Sequence, residues 1–94
     1  MRSAETTVRN PAGIHARPAA LFVRTAARYR SSIVLENLDN PGSRGDAKSM
    51  LSVIGTKSKT GNRIRVTADG ADEDAAIAGM IAFVDGGCGE AISG

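Results

Sequence analysis

The sequence predicts an α+β fold in which an antiparallel sheet carries helices on one face. Three observations point there. Arg63-Ile64-Arg65-Val66-Thr67-Ala68 alternates strictly, with Ile64, Val66 and Ala68 set to face inward and Arg63, Arg65 and Thr67 outward. Two other stretches, near residues 16–28 and 72–84, repeat apolar residues at helical spacing. Aromatic side chains are few, Phe22, Tyr29 and Phe83 alone, so the core must come from Ile, Val, Leu, Met and Ala. That composition suits a thin helix-on-sheet packing.

The elements follow in order. Thr6-Thr7-Val8-Arg9 is a short β-prone stretch, and Asn10-Pro11-Ala12-Gly13 is a turn. A helix runs from Ala16 to about Arg28, with Ala16, Ala19, Val23, Ala26 and Ala27 on its buried side beside Phe22. Ser32–Asn37 reads as a strand. Asp39 to Asp46 reads as a Pro/Gly-rich loop, followed by at most a short polar hairpin partner. Ser49 is placed to cap a brief helical turn over Met50-Leu51-Ser52-Val53-Ile54. Thr60-Gly61-Asn62 turns the chain into the alternating strand. After Asp69-Gly70 the last helix opens on Asp72-Glu73-Asp74, whose charges favour a helix N-terminus. Its apolar stripe is Ile77, Met80, Ile81 and Val84, and Gly86-Gly87 stops it. The expected order is β-α-β-β-α-β-α.

Composition excludes several classes. Ninety-four residues make one domain, expected to span 1–94 with one modest core. The net charge is +2 with basic residues scattered, which gives no nucleic-acid footprint. Lys57-Ser58-Lys59 with Arg63 and Arg65 is the densest basic stretch, and it reads as a polar loop and an exposed strand face. Few aromatics leave no stacking platform for single strands. One cysteine, Cys88, rules out an internal disulfide framework, and in Gly86-Gly87-Cys88-Gly89 it reads as an incidental tail residue. One histidine and one cysteine are too few soft ligands for structural zinc, so no metal and no cofactor is expected. No apolar run of about 18 residues offers a membrane span, and the N-terminus shows no signal core, so cytoplasmic localisation is the expectation.

Chemistry concentrates in Gly13-Ile14-His15-Ala16-Arg17-Pro18-Ala19-Ala20. It sets the only histidine at the opening of a helix. Histidine as a residue type titrates near neutrality, so a neutral imidazole can attack without a separate base. Arg17 carries a permanent fork of donors suited to phosphate oxygens. Pro18 lacks an N–H that the first helical turn would leave unpaired, and the remaining N–H groups there point at an anion. A lone histidine also fits a plain surface or structural role. Phosphate on His15 is the chemistry these neighbours suit.

The chain resembles the HPr family, the histidine-containing phosphocarriers of the bacterial phosphoenolpyruvate-dependent sugar phosphotransferase system. Three blocks carry the resemblance: Gly13–Ala19; Lys48-Ser49-Met50 ahead of a short apolar helix; and Ala68-Asp69-Gly70-Ala71-Asp72-Glu73-Asp74-Ala75-Ala76. With the Gly89-Glu90 ending it extends from about residue 5 to residue 90. The resemblance implies an open-faced β-sandwich, a four-stranded antiparallel sheet covered on one face by three helices. It implies that His15 accepts a phosphoryl group, on Nδ1, from phosphorylated enzyme I and passes it to enzyme IIA domains. The N–H groups of Ala16 and Arg17 and the Arg17 guanidinium would receive the phosphoryl oxygens. Ser49 matches the family's regulatory serine, the target of an HPr kinase/phosphatase in some bacteria, although it also reads as a plain helix cap. Ala20, Arg24, Met50, Leu51 and Ile54 match the partner-docking patch, and Arg24 and Arg28 would steer acidic partner surfaces. A monomer is the family default, and an autonomous enzyme is not expected.

Several positions depart from the family pattern. Ala12 stands where many members carry Ser or Asn, so one side-chain contact near the site would be missing. The loop containing Pro41-Gly42 is about three residues longer than in compact members. Gly55-Thr56-Lys57-Ser58 replaces a usual apolar Leu-Gly segment, which would make the rim of the site more polar. The residues after Glu90 make a chain-terminal carboxylate at the site less expected. Two alternatives stay open, the first because of the Thr56-Lys57 departure. One is a carrier of a nitrogen-related or dihydroxyacetone phosphorelay. The other is a regulatory binding module switched at Ser49.

Overall fold

The computed structural model describes residues 1–89. Seven elements follow in the expected order: β1 (Arg2–Thr7), α1 (Ala16–Ala26), β2 (Ser32–Asn37), β3 (Ser43–Asp46), α2 (Met50–Gly55), β4 (Arg63–Asp69) and α3 (Glu73–Asp85). The strands form one antiparallel sheet in the order β1-β4-β2-β3. Its inward face is Ile64, Val66 and Ala68 of β4 with Ile33 and Leu35 of β2, all buried as their alternation requires. The three helices close over that face, with Phe22, Met80 and Val53 among the buried side chains they contribute. This is the open-faced β-sandwich.

The outer face remains polar. Glu5 of β1 pairs with Arg63 at 3.4 Å and with Arg65 at 3.1 Å on β4, and Arg65 also reaches Glu36 of β2 at 3.4 Å. These bonds, the one to Arg65 foremost, hold the Glu5 carboxyl below the ordinary glutamate range.

Several boundaries differ from the sequence reading. The first strand is Arg2–Thr7 rather than Thr6–Arg9, because its length is set by pairing along β4, from Arg2 opposite Ala68 to Thr7 opposite Arg63. The second half of the expected Asp39–Asp46 loop is strand β3, paired from Asn37 opposite Ser43 to Val34 opposite Asp46. A polar four-residue edge strand has no alternation to announce it. Helix α1 stops at Ala26, and the following turn is tightened by Arg28 N–H to Thr25 O and Tyr29 N–H to Ala26 O. Its buried line is Pro18, Ala19, Phe22 and Ala26, whereas Ala16 and Ala27 are exposed. At 100° per residue, those two alanines lie off the line that Ala19, Phe22 and Ala26 define. Cys88 is not an exposed tail residue. Its N–H reaches back to Phe83 O at 3.0 Å and its side chain is buried in the core cluster. Glu90, the end of the family resemblance, lies outside the described residues.

Two contacts position the helices. A Cβ on Gly45 of β3 would stand 2.7 Å from Ser52 Cβ and 2.8 Å from Ser52 O, so glycine lets α2 lie directly on the sheet edge. Asp72, at the start of α3, turns its carboxylate to the α1–β2 turn. It accepts from Ser31 Oγ at 2.5 Å, Arg30 N at 2.8 Å and Ser31 N at 2.9 Å. These donors, the Ser31 hydroxyl foremost, bring its pKa from 3.8 down to about 2.

The folded-state pKa of Asp72 lies below its unfolded value, so its contribution is complete above the unfolded value. It is lost as pH falls, because the unfolded chain takes up the proton first. Urea titrations of wild type should show stability declining between about pH 4 and pH 2. Asp72→Asn should be less stable at neutral pH and decline less steeply over that window.

Candidate functional site

The histidine loop is held from behind by a second loop. Between β1 and α1 the chain turns through Asn10–Gly13, closed by Gly13 N–H to Asn10 O at 3.0 Å and by Asn10 Nδ2 to Gly13 O at 2.6 Å. Gly13 adopts φ +68, and a Cβ there would meet Ser58 O at 2.8 Å and Lys59 Cα at 2.9 Å. Glycine is therefore required twice over, by conformation and by space. The adjoining Ile14 is buried and donates its N–H to Ser58 O at 2.8 Å. The Thr60 hydroxyl adds bonds to Asn10 O at 2.5 Å and Pro11 O at 2.9 Å.

Beyond this anchored backbone the chain enters α1 with His15 as N-cap, in extended conformation at φ −131 and ψ 157. Its carbonyl accepts from Ala19 N–H at 3.2 Å, while its side chain makes no capping bond. The imidazole is thus exposed and not spent on capping the helix. The first helical turn leaves the N–H groups of Ala16 and Arg17 without intrahelical partners, and Pro18 has none to offer. Ala16 sits at φ +31, a conformation that L residues adopt at a cost of about 1–2 kcal/mol. Arg17 is exposed and, among the described residues, makes no ion pair.

A groove of about 680 Å³ opens beside the imidazole, with Ala12, Ile54, Lys57 and Lys59 among the residues that line it with His15. Ile54, half-buried at the end of α2, thus shares a cleft with His15. Met50 and Leu51 are exposed on the same short helix, Leu51 by 84% of its surface, so the two present adjoining apolar side chains to solvent. Ala20 and Arg24 are exposed on α1, which packs against α2. Ser49 caps α2, its Oγ accepting from Ser52 N at 3.4 Å. It belongs to the other end of α2 from Ile54 and does not line the His15 groove.

The polar rim expected from Gly55-Thr56-Lys57-Ser58 is carried by Lys57, which is exposed and lines the groove. Thr56 and Ser58 are both buried, with Thr56 Oγ1 bonded to Val53 O at 2.7 Å and lying 2.8 Å from Ser58 Oγ. Their hydroxyls satisfy each other and the end of α2, so of this segment only Gly55 and Lys57 reach the surface. Sequence reasoning missed the clamp that Ser58 and Thr60 make on the histidine loop. It also missed Asn37, whose side chain binds the same segment. One signal was available: Asn37 falls at an inward position of β2, after Ile33 and Leu35, where the alternation calls for an apolar residue. Among the described residues no group of three or more His, Cys, Asp or Glu side chains could hold a metal ion, and no helix is long and apolar enough to cross a membrane.

The covered sheet, with an exposed imidazole and a cation at the opening of α1, has counterparts among known proteins. Residues 2–85 match the family model described as "PTS HPr component phosphorylation site". The phosphocarrier protein HPr of Mycoplasma genitalium is 31% identical, over 90% of this chain and 94% of its own. HPr-C-His from Thermoanaerobacter tengcongensis has a similar structure, with a TM-score of 0.89 and 33% identity over 98% of this chain and 100% of that one. The multiphosphoryl transfer protein of Escherichia coli O157:H7 is 39% identical over 94% of this chain, but the match spans only 23% of that longer protein. The chain belongs to the HPr phosphocarrier family.

The left-handed Ala16 gives an inverted expectation. In an ordinary helix Ala→Gly costs about 1 kcal/mol, whereas Ala16→Gly should leave urea stability unchanged or raise it, since glycine adopts φ +31 without penalty.

Proposed function

We propose that His15 is the phosphoryl acceptor of a carrier that shuttles between phosphorylated enzyme I and enzyme IIA domains in sugar uptake. The observation that carries this reading is the exposed imidazole at the N-cap of α1, making no capping bond, with exposed Arg17 two residues on making no ion pair among the described residues. A ring nitrogen, Nδ1 by family resemblance, attacks phosphorus. A P–N bond forms as the bond to the donor group breaks, and the phosphoryl oxygens turn to the N–H groups of Ala16 and Arg17 and to the Arg17 guanidinium. In the second step the acceptor's nucleophile takes the same phosphorus and the imidazole leaves. Holding groups this exposed to water bind the cargo without trapping it. Alignment by the docked partner supplies most of the acceleration.

Ala20, Arg24, Met50, Leu51 and Ile54 form the docking surface in this proposal, with Met50 and Leu51 as its apolar contribution. A carrier of a nitrogen-related or dihydroxyacetone relay is the alternative reading, favoured by the exposed Lys57 in the groove beside His15. Ser49 is a second phosphate position in the proposal, for an ATP-dependent kinase. Its support is a half-buried hydroxyl at a helix start, next to Met50 and Leu51, where a dianion would alter docking without breaking the fold.

Incubation with phosphoenolpyruvate and enzyme I should place one acid-labile phosphate on the protein. His15→Ala should abolish labelling, and labelling that persists would overturn the proposal. Arg17→Ala should slow transfer about tenfold or more while leaving the unfolding free energy within about 0.5 kcal/mol of wild type.

A further inference from the structure

We infer that Asn37, on β2, is a positioning residue for the histidine site, acting through the segment from Thr56 to Asn62. Its kinetic consequence rests on the carrier reading of His15, whereas its structural consequence does not.

Asn37 occupies a position its strand would give to an apolar side chain, and it is 1% exposed. A buried amide is tolerated only with its bonds made. Its Nδ2 donors are shared among Thr56 O at 3.0 Å, Asn62 Oδ1 at 3.2 Å and Lys57 O at 3.3 Å, and its Oδ1 accepts from Asp39 N at 3.0 Å. Two of those acceptors are backbone carbonyls on either side of the Lys57 N–Cα unit, and Lys57 is a non-glycine residue at φ +54. Asn62 Oδ1 in turn accepts from Lys59 N at 2.9 Å. The amide thus brackets Ser58 from both sides and holds its neighbour in a left-handed conformation that would otherwise relax.

Ser58 O is the acceptor for Ile14 N–H, and Gly13 rests on the backbone of residues 58–60. The residue after Ile14 is His15. A continuous series of bonds therefore runs from the end of β2 to the residue preceding the imidazole. None of these bonds is made to the ring. Asn37 would not be a catalytic residue but would fix the direction in which the ring is presented, and small misplacements at a transfer centre are costly.

The test uses the whole chain, with Asn37→Ala compared against Val84→Ala, a truncation of the buried core on α3 outside this series of bonds. Two quantities are measured well below the unfolding midpoint: hydrogen exchange at the Ile14 amide, and the single-turnover rate of phosphoryl transfer from phosphorylated enzyme I. Asn37→Ala should speed Ile14 exchange relative to Val84→Ala at matched stability and slow transfer about tenfold, while Val84→Ala transfers at the wild-type rate. Unchanged Ile14 exchange and transfer in Asn37→Ala would overturn the inference. Equal slowing by both variants would overturn it too, reducing Asn37 to a stability residue. Should Asn37→Ala fail to fold, Asn62→Ala removes the bonds to Asn37 and Lys59 and should move both readouts in the same direction by a smaller factor; no movement overturns the inference. If the wild type takes no phosphate, the carrier reading fails, and Ile14 exchange alone decides the coupling.

Discussion

The contact between Gly13-Ile14 and the backbone at Ser58 is the constraint from which the site's geometry follows. Without a side chain at position 13 the two loops approach to a distance no Cβ would permit. Ile14 N–H then finds its acceptor in Ser58 O, and its side chain enters the core. Once Ile14 is fixed inward, the extended backbone of His15 carries its ring outward. The same placement starts α1, so the open N–H groups of the first turn necessarily lie beside the ring. Fold and site share this contact: β4 delivers one loop, β1 the other, and their pairing in the sheet brings both loops to the same end.

Charge is divided in a way that suits a transient carrier. Several acids are engaged away from His15: Glu5 and Glu36 hold Arg63 and Arg65 on the open face of the sheet, and Asp72, at the start of α3, holds the turn at Ser31. The cations near His15 differ. Arg17, Arg24, Lys57 and Lys59 make no ion pair among the described residues. Exposed cations of this kind hold a phosphoryl group weakly and attract acidic surfaces over a Debye length. A deep, fully paired site would bind phosphate more firmly and release it more slowly. In the proposed docking, the exposed apolar pair Met50 and Leu51 would supply what charge cannot, a contact that persists once partners have met.

Much of this was legible in the sequence. The alternation of residues 63–68, the Ser49 cap and the order of the elements follow from local rules, and the structure has all three. The motif from Gly13 to Ala20 marked the opening of α1, where the candidate site lies, because the conformations of Gly and Pro there depend on backbone position alone. What was hidden depends on partners distant in the chain. β1 extends back to Arg2 because β4 pairs with it, and β3 forms inside an apparent loop because β2 lies alongside. Thr56 and Ser58 look polar and outward until each is found to satisfy the other in a buried turn. Cys88 looks incidental until a returning turn carries it into the core. Asn37 was the readable exception, an amide set in an apolar rhythm.

The central claim is that this arrangement presents His15 as the phosphoryl acceptor and receives the charge at the opening of α1. Nitrogen-15 and phosphorus NMR on the protein after incubation with phosphoenolpyruvate and enzyme I tests it most directly. The account predicts a phosphoramidate on the His15 ring, with the amide protons of Ala16 and Arg17 moving downfield as they bond to its oxygens. A phosphate on another residue, or a phosphohistidine that leaves those two amides unmoved, would contradict it.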